Sequence, residues 1–270
     1  MSVVLNVQGL EKSFGAVVAA HNINVSIEAG ETVGVIGANG AGKTTFVNMV
    51  TGYLEPSDGR IEFMGRDIRG RSVRQITRLG LCRSFQVPQV FLSESVFDNL
   101  MISFGIAERD GLGLLGALMR GDRGERVDQH LLRYQIADYR NVAASALPQG
   151  VRKLLDIAMA TVRKPKLLML DEPTSGISVE EKFGIMDILM QALKEEETTV
   201  LFIEHDMEIV ERYVSRVLAF SQGEIICDAP TEQAMVDPLV QEFVIGKEYH
   251  RARAGNGSGN GASEGEAGRC

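Results

Sequence analysis

The chain has 270 residues, 44% of them hydrophobic, and sets 28 Lys and Arg against 36 Asp and Glu for a net charge of -8. That is enough apolar material for a full core in one domain, or in one domain with a sizeable insert. The acidic balance excludes a whole-surface attraction to nucleic acid or anionic lipid.

The opening MSVVLNVQGLEKSF has no long apolar run and places charges early, so neither a signal peptide nor an anchor is expected. No later segment reaches the apolar length of a membrane span. VVLNVQ, INVSIE and RIEFMG read as strands. Between the last two, residues 32–45 read TVGVIGANGAGKTT, an apolar strand running into a glycine-rich loop and then into the helical KTTFVNMVTG. Further on, SVFDNLMISFGI and GERVDQHLLRYQIADY have helical spacing, the second with Val127, Leu131 and Tyr134 on one face. Between them GLGLLGALM is apolar but far too short to span a bilayer, and packing among helices is expected. LPQGVRKLLDIA, residues 147–158, predicts a helix entered through a Pro-Gln-Gly turn, with Leu154, Ile157 and Ala158 at helical spacing. KLLMLDEP and TTVLFIEHD are short apolar strands ending in charge, and VLAFSQGEIICD predicts a hairpin turning at Gln222-Gly223. The last stretch, rich in Gly, Ser, Asn and Glu, is expected to be a disordered tail over 251–270 or a linker. Cys82, Cys227 and Cys270 are odd in number and far apart, which fits reduced thiols better than a disulfide framework or a metal site.

The strongest motif is the loop. Gly37, four residues, Gly42, Lys43 and Thr44 match the phosphate-binding pattern G-x-x-x-x-G-K-[ST], with the strand before and the helix after that it needs. Glycines let backbone N–H groups converge on phosphate oxygens, the helix N-terminus adds its dipole, and Lys43 supplies a point charge. Thr44 offers a hydroxyl to a magnesium ion. An ordinary glycine-rich turn is a poor alternative, because such a match arises by chance in about one chain in a hundred of this length. The second element is Asp171-Glu172 at the C-terminal end of a strand buried on both faces, where ligands bind in parallel sheets. Asp171 is placed to hold magnesium, directly or through water, and Glu172 to polarise a water aimed at the γ-phosphate. His205, closing the strand TTVLFIEHD, is a candidate for the same phosphate.

Taken in order, Phe14 in KSFG, GANGAGKTT, Gln86 in RSFQ, LPQG, LLMLDEP, TSGIS and EHD resemble the ATP-binding cassette (ABC) family, from Val3 to about Tyr249. The resemblance implies an α/β fold: a phosphate-loop NTPase core with a parallel sheet, an N-terminal antiparallel β-subdomain and an inserted α-helical subdomain. It places one ATPase domain over 1–250, with the helical insert at about 87–150. By the same resemblance Gly37, Asn39, Gly40, Ala41, Gly42, Lys43, Thr44 and Thr45 bind ATP and Phe14 stacks on adenine, although Phe14 as a core residue is an alternative. Gln86 senses magnesium and the attacking water, and His205 contacts the γ-phosphate; Glu172, His205 and Gln86 form the catalytic set, and Thr44, Gln86 and Asp171 the magnesium set. In this family two cassettes pair head to tail, and the turn Leu147, Pro148, Gln149, Gly150 of each closes over the ATP of the other. The usual form is Leu-Ser-Gly-Gly-Gln. Here Pro148 replaces serine, Gln149 a glycine and Val151 the glutamine, and Ser178 stands where an aspartate is common.

The finer details, NGAGKTTFVNMVTGYLEPSDGRIEFMGRDI, RSFQVPQVFLSESVFDNL and FIEHDMEIV, look most like ATPase subunits of branched-chain amino acid importers. Urea or amide importers and lipopolysaccharide-export ATPases are close alternatives. The resemblance implies ATP and Mg2+ as cofactors, a second ABC ATPase subunit in a heterodimer or a homodimer, two permease subunits, and a solute-binding protein reached through them. It implies no nucleic acid partner, and a peripheral position on the cytoplasmic face of the cell membrane. VPQVFLSESVF follows Gln86, so Val90, Phe91 and Phe97 are expected either to meet a short permease helix or to be core. A ribosome- or DNA-acting cassette protein fits less well, because the chain has one phosphate loop, no sustained heptads and an acidic balance. The chain has no Asn-Lys-x-Asp guanine signature.

Overall fold

A computed structural model describes residues 2–108 and 122–245. In chain order the elements are β1 (Val3–Phe14), β2 (Val17–Glu28), β3 (Thr32–Gly37), α1 (Lys43–Val50), β4 (Asp58–Phe63), β5 (Arg66–Asp67), α2 (Val73–Leu79), β6 (Leu81–Ser84) and α3 (Val96–Glu108). There follow α4 (Arg123–Arg133), α5 (Gln149–Thr161), β7 (Leu167–Asp171), α6 (Val179–Glu195), β8 (Thr199–Ile203), α7 (Met207–Tyr213), β9 (Arg216–Ser221) and β10 (Glu224–Pro230). The described residues divide into two compact units, 2–73 with 201–245, and 74–108 with 122–200, the division falling inside β8. The segment 111–119 and the tail over 251–270 lie outside the described residues.

The first unit contains an antiparallel sheet of order β2-β1-β4-β5. It also contains the strand order β10-β9-β3-β8. Val33, Val35 and Ile36 of β3 are fully buried. A run buried on both faces belongs inside a parallel sheet, and β3 runs parallel to β9 over Val33–Gly37. From α1, Phe46 lies against Phe220 of β9 with ring centroids 5.5 Å apart. The hairpin β9–β10 turns at Gln222 and Gly223, whose φ values of 49° and 86° are both positive. A two-residue turn of this hand matches the twist of the strands it joins.

In the second unit β6 and β7 pair in parallel, Leu81 opposite Leu167 and Ser84 opposite Leu170, and β7 is followed in the order by the start of β8. Leu167, Leu168, Met169 and Leu170 are fully buried. Helix α3 packs on α4 and α5. Val127, Leu131 and Tyr134 are buried as their spacing predicts, but the helix expected through Tyr139 stops at Arg133. Gln135 takes φ +54°, the chain reverses, Ile136 turns inward and Ala137–Tyr139 forms a 3-10 turn. The reversal places the Tyr134 hydroxyl 2.8 Å from Thr161 Oγ1.

Next to it His130 Nε2 lies 2.8 Å from the Ala158 carbonyl oxygen, and burial lowers its pKa from 6.5 to about 4. Between those two values the unfolded chain takes up a proton that the folded chain refuses, so stability falls as pH drops through that window. The melting temperature of the wild type is therefore expected to fall more steeply from pH 6.5 to pH 4 than that of His130→Gln. Parallel slopes in scanning calorimetry would exclude His130 as the source.

Candidate functional site

Within the first unit the loop from Gly37 to Thr45 joins β3 to α1. Gly42 sits at φ +105° as the N-cap of α1, and a Cβ there would meet the Ala19 carbonyl oxygen at 2.8 Å and Gly223 Cα at 3.1 Å. Only glycine fits a left-handed residue pressed between β2 and the β9–β10 turn. The Gly223 N–H donates to the Ala41 carbonyl at 2.9 Å, so the hairpin turn forms one wall of the loop. Lys43, 6% exposed, donates from Nζ to the carbonyls of Gly37 at 2.5 Å and Ala38 at 3.0 Å. Its charge is thereby fixed inside the loop, while Asn39, Gly40 and Thr44 are exposed, Ala41 is buried and Thr45 is half-buried. The first N–H groups of α1 open beside them, which is the arrangement that receives an anion.

Phe14 ends β1 with its side chain outward at 52% exposure, so the core alternative does not hold. Lys12 Nζ stands 5.1 Å from the ring centroid. His205 follows β8 and is exposed, and its N–H donates to the buried Glu204 carboxylate at 3.1 Å. Asp206 next to it caps α7 by accepting the Glu208 N–H at 3.0 Å, which fixes the backbone on which His205 stands.

Within the second unit Asp171 ends β7, and Glu172 leaves it at φ +46°, left-handed for a residue with a side chain. Gln86 Nε2 donates to Glu172 Oε2 at 2.6 Å. Two residues 86 positions apart thus meet. Sequence reasoning missed Arg83, whose Nη2 donates to Asp171 Oδ2 at 2.6 Å with both side chains largely buried. Its guanidinium also lies over the Phe85 ring, 5.0 Å from the centroid. The available signal was a cation inside a short run, Leu81–Ser84, just ahead of Gln86.

The turn Leu147–Gly150 lies in the same unit. Leu147 is buried, and Pro148 is the N-cap of α5 with no side-chain cap hydrogen bond. Arg152 braces the turn from behind, donating to the carbonyls of Ala144, Ser145 and Leu147 at 3.0, 3.0 and 3.1 Å. Gln149 reaches the TSGIS segment, with Nε2 3.4 Å from the Ser175 carbonyl oxygen. It lies so close over Gly176 that a Cβ there would stand 2.0 Å from the amide nitrogen. The departing Gln149 thus lies against Ser175 and Gly176 of that segment.

Beyond Gln86, Phe91 is 47% exposed and Val87 69%, while Phe97 lies under the Arg140 guanidinium at 3.8 Å. Phe91 is not core.

For a divalent cation the donors named by the sequence are the Thr44 hydroxyl, the Gln86 amide and the Asp171 carboxylate. Each is a hard oxygen donor of the kind magnesium takes, Thr44 in the first unit and Gln86 and Asp171 in the second. Among the described residues no cluster of three or more His, Cys, Asp or Glu forms a metal site of its own. Nor is any described helix long and apolar enough to cross a membrane.

A profile of the ABC transporter family matches residues 20–175. Over 250 residues the chain is 33% identical to the high-affinity branched-chain amino acid transport ATP-binding protein LivG of Escherichia coli K12, covering 90% of this chain and 98% of that one. The probable branched-chain amino acid transport ATP-binding protein LivG of Archaeoglobus fulgidus is 31% identical over 256 residues, covering 93% and 99%. Among solved structures, an ATP-binding cassette of an ABC transporter in its ADP conformation superposes with TM-score 0.76 at 26% identity, covering 89% of this chain and 97% of that one. CbiO1 from Clostridium perfringens, part of an ABC transporter complex, gives TM-score 0.76 at 31% identity, covering 89% and 93%.

Proposed function

Because the chain belongs to the ABC transporter family and is an ATP-hydrolysing cassette of it, we propose that it energises an importer of branched-chain or related amino acids. In this reading it sits peripherally on the cytoplasmic face of the membrane, paired with a second cassette and docked on two permease subunits. A solute-binding protein supplies the substrate from the far side.

The import reading rests on likeness to LivG proteins over nearly their whole length. The reading of the catalytic residues rests on the Gln86–Glu172 hydrogen bond at 2.6 Å, which puts an amide and a carboxylate within reach of one water. Phe14 stacks on adenine, an interaction worth about 1 to 3 kcal/mol and tolerant of base identity. Lys43 and the N–H groups around Gly40 and Gly42 would hold the β- and γ-phosphates, and Thr44, Gln86 and Asp171 would hold Mg2+. When bound, that ion neutralises charge developing on the phosphates. Gln86 orients the water, Glu172 takes its proton, and His205 hydrogen-bonds the γ-phosphate. Leu147, Pro148, Gln149 and Gly150 close over the ATP of the paired cassette through the backbone N–H groups that open α5.

Uptake of labelled leucine, isoleucine and valine by a strain lacking this chain tests the proposal. Uptake is expected to be lost and to return with the wild type. Phe91→Ser is expected to restore protein level and ATP binding without restoring uptake, because exposed Phe91 is proposed to meet a permease helix. Intact leucine uptake together with lost urea or amide uptake would instead select the related importer.

A further inference from the structure

Helix α5 buries two charged side chains that the nucleotide residues do not account for, Lys153 at 3% exposure and Asp156 at 6%. They stand three residues apart, on one side of the helix. Lys153 Nζ donates to the carbonyls of Phe85 at 2.8 Å and Gln86 at 3.1 Å. Asp156 Oδ2 accepts the Ser84 hydroxyl at 2.7 Å, and its Oδ1 accepts the Gln89 N–H at 2.7 Å. Each of these four contacts falls on residues 84–89, before, on and after Gln86.

Burying a charge is tolerated only where hydrogen bonds replace the lost water. Burial raises the Asp156 carboxyl pKa, against the opposing pull of the Ser84 and Gln89 bonds and the Lys153 charge. The burial is therefore sustained only while residues 84–89 keep their place on the helix. Helix α5 begins at Gln149, just over one turn before Lys153, and its own hydrogen bonds make that turn stiff. Arg152 ties the residues just ahead of it.

We infer that Lys153 and Asp156 are positioning residues that lock the segment carrying Gln86 to the helix opened by Leu147–Gly150, so that a shift of Gln86 is carried to that turn. The inference rests on the proposed nucleotide role of Gln86. It joins, within one chain, the residue that reads this chain's own nucleotide to the turn that serves the neighbour's.

Hydrogen exchange of the full chain, with and without Mg-ATP, tests it in the wild type, Asp156→Ala, Asp156→Asn and Ser84→Ala. In the wild type, ATP is expected to slow exchange across residues 37–50 and to change exchange across 147–153. In Asp156→Ala the Gln89 N–H is expected to exchange about tenfold faster or more, since it loses a bond to a charged acceptor. The response at 37–50 should persist there and the response at 147–153 should vanish. Asp156→Asn retains an acceptor for Gln89 and a donor for Ser84 Oγ, so it should recover the response at 147–153, which a loss of folding would not allow. Ser84→Ala breaks one leg only and should give a partial loss, and combining it with Asp156→Ala should add nothing. A response at 147–153 equal in wild type and Asp156→Ala overturns the inference while leaving the nucleotide reading intact. Absence of any ATP effect at 37–50 in the wild type overturns both.

Discussion

Glu172→Gln is expected to lower ATP turnover at this chain's site by about 10²- to 10⁴-fold, the range for removal of a general base, with ATP affinity nearly unchanged. The substitution keeps the shape of the side chain but removes its capacity to accept a proton. Gln86 holds one carboxylate oxygen at 2.6 Å, a bond that a glutamine Oε1 at this position can also accept. The left-handed backbone at Glu172 fixes where that carboxylate starts, and glutamine inherits the same φ of 46°. The expected loss is thus chemical and not a displacement. Steady-state hydrolysis should be measured with the paired cassette's own base disabled, since that site would mask the loss. Turnover equal to the parent under those conditions would remove Glu172 from the mechanism.

Lys43→Ala is expected to act on binding. A hydrogen bond to a charged group is worth about 1.5 to 3 kcal/mol, so ATP affinity should weaken by roughly ten- to a hundredfold. The lysine is pinned to the carbonyls of Gly37 and Ala38, which puts its charge in the loop before any phosphate arrives and spares the cost of ordering a long side chain on binding. Titration with a fluorescent nucleotide reads the change directly. An unaltered Kd would mean that the phosphates lie elsewhere. Scanning calorimetry run alongside separates this from unfolding, because Phe46 and Phe220 keep α1 on the sheet without Lys43.

Motifs made of special backbone or of a fixed residue order could be read ahead of the structure. The two-residue turn at Gln222-Gly223 and the strand entering Gly37 belong to this class. What could not be read depends on partners far apart in the chain. Arg83 has no visible role in the sequence until β7 lies beside β6 and brings Asp171 within 2.6 Å. Lys153 and Asp156 look like the solvent side of an amphipathic helix, yet both point inward because a loop offers them carbonyls, a hydroxyl and an N–H. The break after α4 was hidden for another reason. Gln135 has no special preference for positive φ, and burial of Ile136 beyond it forces the reversal.

The wall that Gly223 makes for the phosphate loop bears on the order in which the chain is made. Strand β3 and its loop leave the ribosome early, yet the strand beside them comes late: the Ser215 hydroxyl that bonds the Thr32 carbonyl lies 183 residues downstream, and Gly223 follows it. At the usual pace of synthesis that is a delay of roughly 10 to 40 s. Contacts this distant in sequence also carry a large loop-closure cost, which makes their formation slow. Through that interval the buried face of Val33, Val35 and Ile36 waits without β9. A chain stalled before β9 carries every residue of the phosphate loop but lacks the Gly223 wall beside it.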